Sequence, residues 1–354
     1  MSVTAGERVK ATWIATVANI DWPRANTLGK PEQQKQDLIN LIDSLSAVGI
    51  NTLFFQVRPT ADAFYLSSLE PVSQWLTGQQ GDWGKAEAWD PLAVAIEQAH
   101  QRQMSLHAWI NPYRVNIGTI QTADLDKNHP MRLHPEWFWQ YGTQWYFDPG
   151  QEATREWLCD VVKDIVTRYE VDGIHLDDYF YPYPIKGKTL PDAKQFKQHP
   201  RGFTDINDWR RDNVNRTIQA VSQTIREIRS QVQFGISPFG IYQTNYEQLF
   251  ADIVLWAKEG WIDYVTPQLY WPIEATAATD YATLARWWAD TIPASCKVYT
   301  GHALYRMGQG RQWNIGNEIV RQNVINQQLE GIDGEAYYSA KFVLQQPDAL
   351  LRKQ

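Results

Sequence analysis

The sequence is short of several things. Its 354 residues include 2 cysteines, Cys159 and Cys296, too few and too far apart for a disulfide scaffold, a Cys-rich zinc site or an iron–sulfur cluster. No apolar run approaches the ~20 residues that cross a bilayer. The opening residues, MSVTAGERVKATW, lack the apolar core of a signal peptide. Basic residues do not predominate: 33 Lys and Arg against 40 Asp and Glu leave a formal charge of −7, without like-charge runs. That argues against nucleic acid, or an anionic membrane held by a basic patch, as partner. No linker rich in Gly, Pro or Ser divides the chain. No P-loop, G-x-G-x-x-G, G-x-S-x-G or H-E-x-x-H motif is present, so no cofactor is implied and a metal is a weak fit.

Aromatic side chains are in surplus, with 17 Trp, 17 Tyr and 12 Phe. Many such rings pack cores, but those near loop ends offer flat platforms on which the C–H faces of sugars rest. Strand-like segments at 12–20, 51–59, 104–114, 171–182, 232–241, 262–272, 296–306 and 334–341 alternate with helical ones. The helical segments run over 31–48, 90–102, 152–169, 208–230, 246–259, 281–290 and 317–330, with a short helix after the last strand. This alternation predicts a parallel sheet covered on both faces. Eight units in this length predict an α/β fold, a single (β/α)8 TIM barrel over 1–354, rather than a doubly wound sheet. The loops at 58–89, 111–150 and 180–207 are far longer than ordinary βα connections. All three follow strand C-termini, so they gather on the face where this fold places its chemistry and predict a walled groove.

The strongest constellation is D-G-I-H-L-D-D-Y-F-Y-P, Asp172 to Pro182, on the fourth strand. Alternation along a strand puts His175, Asp177 and Tyr179 on one face and sends Ile174 and Leu176 outward. An inward Asp at the mouth of a barrel is expensive to bury unless paired or used. Asp178 joins the site only if the strand ends before it. Asp172 and Gly173, at the strand's start, suit a structural turn. The same reasoning selects Arg58 after strand two, and Trp109, Asn111, Tyr113 and Arg114 at and after strand three. It also selects Gln268, Tyr270 and Trp271 after strand six and, less strongly, His302 on strand seven. Ser237 and Phe239 end strand five, and Tyr305 follows strand seven. His107 and His175 are expected lower in the barrel, in structural hydrogen bonds.

The runs QVRPTADAFYLSSLEPVSQWLTG, AWINPYRV, GIHLDDYFYP and YVTPQLYW together resemble the glycosyl-hydrolase-like YngK/YddW family of bacterial envelope proteins. The resemblance extends from about Thr12 to about Ala340. It implies a TIM barrel and, from one member's role, a division-associated glycosidase acting on peptidoglycan glycan strands, especially those without stem peptides. Proteins of this type are exported, often as lipoproteins, so the resemblance implies an envelope, periplasmic or secreted location. With no signal peptide in the sequence, a cytoplasmic one stays open. A looser similarity links Asp172 to Tyr179 with the D-G-x-D-x-D-x-E strand of chitinase-like glycosidases. Asp177 matches its last Asp, but His175 replaces an Asp and Tyr179 stands where the catalytic Glu would be.

Glycoside hydrolysis usually needs two carboxyl groups about the scissile bond. Asp177 is the expected central carboxylate and Asp178 the expected general acid, with Glu70, Asp62 and Glu274 as reserves. Arg58, Trp109, Asn111, Tyr113, Arg114, Tyr179, Tyr181, Gln268, Tyr270, Trp271 and His302 are expected to contact a polysaccharide substrate. Two other classes stay open: a barrel that binds glycan without cleaving it, and a metal-dependent hydrolase or deacetylase using His107, His175 and Asp177. The composition suits a monomer.

Overall fold

The computed structural model describes residues 8–84, 88–276, 279–314 and 317–349. Eight parallel strands close into a barrel: β1 Val9–Ile14, β2 Thr52–Arg58, β3 Ser105–Ile110, β6 Gly173–Leu176, β7 Gln233–Ile236, β8 Tyr264–Val265, β9 Lys297–His302 and β10 Gly334–Tyr337. The remaining two, β4 Phe138–Tyr141 and β5 Gln144–Phe147, form an antiparallel hairpin in the loop after β3. The helices that follow the barrel strands are α1 Pro31–Ala47, α2 Pro91–Gln101, α3 Glu152–Arg168, α4 Ile206–Arg229, α5 Ile253–Lys258, α6 Tyr281–Thr291, α7 Glu318–Gln327 and α8 Ala340–Gln345. The TIM barrel expected from the alternation is therefore the fold.

The helices begin where capping chemistry places them. Pro31 opens α1, and Leu38, Ile42 and Leu45 then recur on its buried face. Asp90 caps α2 by accepting from the Ala93 N–H at 3.0 Å, and Asp205 caps α4 by accepting from the N–H groups of Asn207 and Asp208. On α4 the residues Val214, Ile218, Val221 and Ile225 form the buried stripe. Two features differ from the sequence reading. The helix expected over 246–259 is two helices, Tyr242–Gln248 and α5, separated at Phe250, whose φ is 55°. The β4–β5 hairpin replaces what read as irregular loop, and Gly142, at φ 67°, makes its two-residue turn.

Two cores result. The larger lies between strands and helices; a smaller one fills the barrel with Trp13, Phe54, Trp109, Tyr264 and Tyr299 among small residues such as Ala11, Ala15 and Ala336. Rings this large fit because neighbouring strands carry glycine opposite them. A Cβ on Gly235 would lie 2.0 Å from Cζ of Tyr264, and one on Gly173 would lie 2.4 Å from Nδ1 of His107. Neither ring has room to retreat in a filled barrel. Gly235→Ala is therefore expected to destabilise the protein by roughly 1–3 kcal/mol through overpacking, read as a lower midpoint in denaturant unfolding. An unchanged midpoint would contradict this packing account.

Candidate active site

β6 ends at Leu176, so the next two residues leave the alternating pattern and Asp177 and Asp178 both face one cleft at the C-terminal mouth. The cleft measures about 470 Å³ and is walled by rings from several strands, including Trp13, Trp109, Tyr179, Tyr270 and Tyr338. Asp177 and Asp178 are 4% and 5% exposed. Asp177 accepts from Trp109 Nε1 at 3.1 Å, from Asn111 Nδ2 at 3.1 and 3.3 Å, and from the Tyr179 backbone N–H at 3.3 Å. Asp178 accepts from the Tyr183 hydroxyl and from the Gln268 side chain.

Burial, then the neighbouring Asp178 charge, pushes the Asp177 carboxyl up to about 7, against the pull of Arg114. Burial also raises Asp178, opposed by its bonds to Tyr183 and Gln268. Two such groups titrate as a pair and cannot both ionise cheaply in one dry cleft. Burial and mutual repulsion therefore favour one proton held by the pair near neutrality. Arg114, 7% exposed, lies with Cζ 4.6 Å from the centre of the Tyr179 ring. Its Nε has no hydrogen-bond partner, and neither has Nε2 of Gln56, another cleft residue. Buried donors left this way normally find an acceptor from water or ligand.

Two buried devices support the pair. Arg58 forms a salt bridge with Glu70 at 2.5 Å, both side chains essentially inaccessible, and Trp157 Nε1 donates to the same carboxylate at 2.9 Å. The guanidinium also donates to the Asn111 carbonyl at 2.6 Å, fixing the backbone whose side chain holds Asp177. Below the cleft, Trp13 Nε1 donates to Nε2 of His175 at 3.1 Å. Burial keeps His175 neutral, its pKa well below the usual value, so its proton sits on Nδ1 and is donated to the Tyr264 oxygen at 3.0 Å. The phenol then donates to Nδ1 of His107 at 2.7 Å, a ring that burial pushes down to about 4. This chain holds the Trp13 indole, which forms part of the cleft wall.

Of the residues selected from sequence, Trp109, Arg114, Asp177, Asp178, Tyr179, Ser237, Phe239, Gln268, Tyr270 and Tyr305 line the cleft. Trp271 lines a smaller adjoining pocket, and Asn111 reaches the cleft through Asp177. The others lie elsewhere. Gln56 follows Phe54 inward by alternation and faces the cleft, but the register of β2 shifts between Gln56 and Arg58, and Arg58 turns toward Glu70. Glu70 is thus bound in that ion pair rather than free as an acid. Tyr113 donates to Thr217 and Tyr181 accepts from Asn213, both on α4, in the outer packing. His302 alternates outward on β9, donates from Nδ1 to Gln322 of α7 at 2.8 Å, and is lowered by burial to about 4. Asp62, pushed up to about 6 by burial, accepts from Thr60 and Gln80 away from the cleft. Glu274 is an exposed group 3.6 Å from Arg321.

His107 and His175 form the structural hydrogen bonds expected of them, and among the described residues no group of three or more His, Cys, Asp or Glu is placed to hold a metal ion. Trp13, Gln56, Tyr183 and Tyr338 were missed. Trp13 had a legible signal, a lone large ring between Ala11 and Ala15 on the inward face of β1. Gln56 had one as well, since it lies two residues after Phe54, a ring that fills the barrel, and alternation on β2 turns it inward.

Comparison with known proteins follows the same lines. Residues 8–315 match the family described as glycosyl hydrolase-like 10. The chain is 40% identical over 358 residues to glycosyl hydrolase YngK of Bacillus subtilis (strain 168), covering 96% of this chain and 69% of that protein. It is 32% identical over 375 residues to glycosyl hydrolase DigH of Escherichia coli (strain K12), covering 96% of this chain and 84% of that one. Among solved structures, the glycoside hydrolase domain of PgaB (BpsB) from Bordetella bronchiseptica shares the fold with a TM-score of 0.55 at 15% identity, covering 96% of each chain. α-L-Fucosidase isoenzyme 2 from Paenibacillus thiaminolyticus does so with 0.60 at 12% identity, over 97% of this chain and 49% of that one. With its barrel, its aromatic cleft and a family match over most of its length, the chain belongs to the glycosyl hydrolase-like 10 family.

Proposed function

We propose that the protein hydrolyses glycosidic bonds in a bacterial cell-wall glycan, with peptidoglycan strands as substrate and the cell envelope as its place of action. The observation that carries this reading is the coupled pair: Asp177, pushed up to about 7, beside Asp178 in one aromatic cleft. The roles run opposite to those expected from sequence. Asp177 holds the proton and donates it to the leaving glycosidic oxygen as the C–O bond breaks. Asp178 stays ionised and stabilises the positive charge that develops at the sugar ring, directly or by holding an N-acetyl group that attacks it. Water completes hydrolysis, giving its oxygen to the anomeric carbon and a proton back to Asp177. The unpartnered donors on Gln56 and Arg114 suit hydroxyl or acetamide oxygens, and the ring walls suit the apolar faces of the sugar. A second carboxyl within the cleft favours catalysis over glycan binding alone.

Two predictions follow from the pair. Asp177→Asn is expected to lower turnover of peptidoglycan strands by roughly 10²–10⁴-fold, measured by mass spectrometry of digests of strands with and without stem peptides. The variant removes a carboxyl that the folded state must keep dry. A raised folded pKa means that stability falls as pH rises from about 4 to about 7, so at pH 8 the Asn protein should melt no lower than wild type. Near-wild-type turnover would refute the assignment. For the wild type, kcat/KM should fall on the alkaline side through about pH 7, as Asp177 loses its proton, and on the acid side as Asp178 gains one. A rate that stays level from pH 6 to pH 9 would contradict Asp177 as proton donor.

A further inference from the structure

Beside the cleft lies a smaller cavity of about 190 Å³, lined by Phe239, Gln268, Tyr270, Trp271, Tyr305 and Arg306. Phe239, Gln268, Tyr270 and Tyr305 also line the main cleft, so the two are lobes of one groove. The aromatic walls are mutually braced. Trp271 stands perpendicular to Phe239 at 5.4 Å, and Tyr270 meets Tyr305 edge-on at 5.9 Å. Half-buried Trp271 keeps part of its ring open to the pocket, as a platform for a sugar would.

Arg306 is the unusual member. Its guanidinium lies 5.8 Å from the centres of both the Tyr305 and Trp313 rings, with a long 3.4 Å hydrogen bond to the Tyr305 hydroxyl. Among the described residues it has no carboxylate partner, although the chain as a whole is acidic, at −7. Arg306 is exposed and meets both rings only at the outer reach of a cation–π contact, so its charge stays available to a ligand. Across the joined lobes the cations are Arg114 and Arg306, and the acids are Asp177 and Asp178. With one proton kept by the acid pair, the groove carries a positive excess inside a negative protein, which is the complement of an anionic ligand.

We propose that this side lobe is a subsite for a carboxylate-bearing sugar residue, its ring on Trp271 and its anion paired with Arg306. The inference rests on the glycosidase reading and adds which residue of the strand the groove selects. One guanidinium in a cavity this small matches a single carboxylate, which it can meet with two parallel N–H donors.

The test compares peptide-free peptidoglycan strands with the same strands after their carboxyls have been reduced to alcohols. Binding is followed by calorimetry with the Asp177→Asn protein, and KM with the wild type provides the same comparison if that variant does not fold. The native strand is expected to bind about tenfold more tightly than the reduced one, as for one partly exposed charge-assisted contact. Adding Arg306→Gln should abolish the difference by weakening only the native strand. Equal affinity for both strands with Arg306 present, or equal weakening of both by Arg306→Gln, would overturn the carboxylate subsite and leave the glycosidase reading in place. Binding of neither strand would overturn both.

Discussion

Asp177 and Asp178 are consecutive in the chain, at most 5% exposed, and aimed into the same cleft. Ionising both there would put two like charges into a space walled by indole and phenol rings, with one buried guanidinium to offset them. The arrangement persists because the charge is shared out. Three N–H donors hold Asp177 in place, a phenol and an amide hold Asp178, and one proton stays on the pair. A carboxyl kept protonated near neutral pH next to one that is not is what proton donation to a glycosidic oxygen requires. Burial therefore does two things at once: it costs folding free energy and it sets the acid's strength.

The surroundings make sense as devices that keep this pair from relaxing. A free Asn111 loop would let Asp177 swing toward water and lose its raised pKa. Arg58 prevents this by gripping the loop's carbonyl while Glu70, itself held by the Trp157 indole, neutralises and holds the guanidinium. Beneath, the chain from Trp13 through His175 and Tyr264 to His107 consists of neutral groups, each donating to the next. A charged histidine there would add a cation under the carboxyl pair and draw its pKa values down. Because burial keeps both rings neutral, Arg114 is the cation that pulls the pair downward. The glycines opposite Tyr264 and His107 give those rings their places.

Strand count, closure and the inward parity of His175 and Asp177 were legible, because period-2 alternation survives as long as a strand lasts. The same parity, read with more care, puts His302 outward: Tyr299 faces the barrel interior, so Thr300 and His302 on alternate positions face the helices. Legibility failed where alternation stopped. The place of Asp178 depends on the strand ending at Leu176, and that of Arg58 on a register shift between Gln56 and Arg58. Arg58 and Glu70 lie twelve positions apart, on a strand end and a loop, and their pairing is a tertiary fact with no local pattern. Tyr113 and Tyr181 come after strand ends, where residue type alone suggested a sugar contact but packing against α4 took them. The β4–β5 hairpin did carry a signal, two aromatic runs around Gly142, that the length of the loop obscured.

The most direct test of this account is a carboxyl titration of the folded protein by NMR with 13C-labelled aspartate, comparing wild type with Asp177→Asn. The account predicts one side-chain carboxyl that titrates at about 7 in the wild type and is absent from the variant, with the second carboxyl little changed, because Asp177 is already neutral in the range where Asp178 ionises. If the carboxyl lost on replacing Asp177 titrates in the ordinary range near 4, Asp177 holds no proton at neutrality and the central claim is wrong.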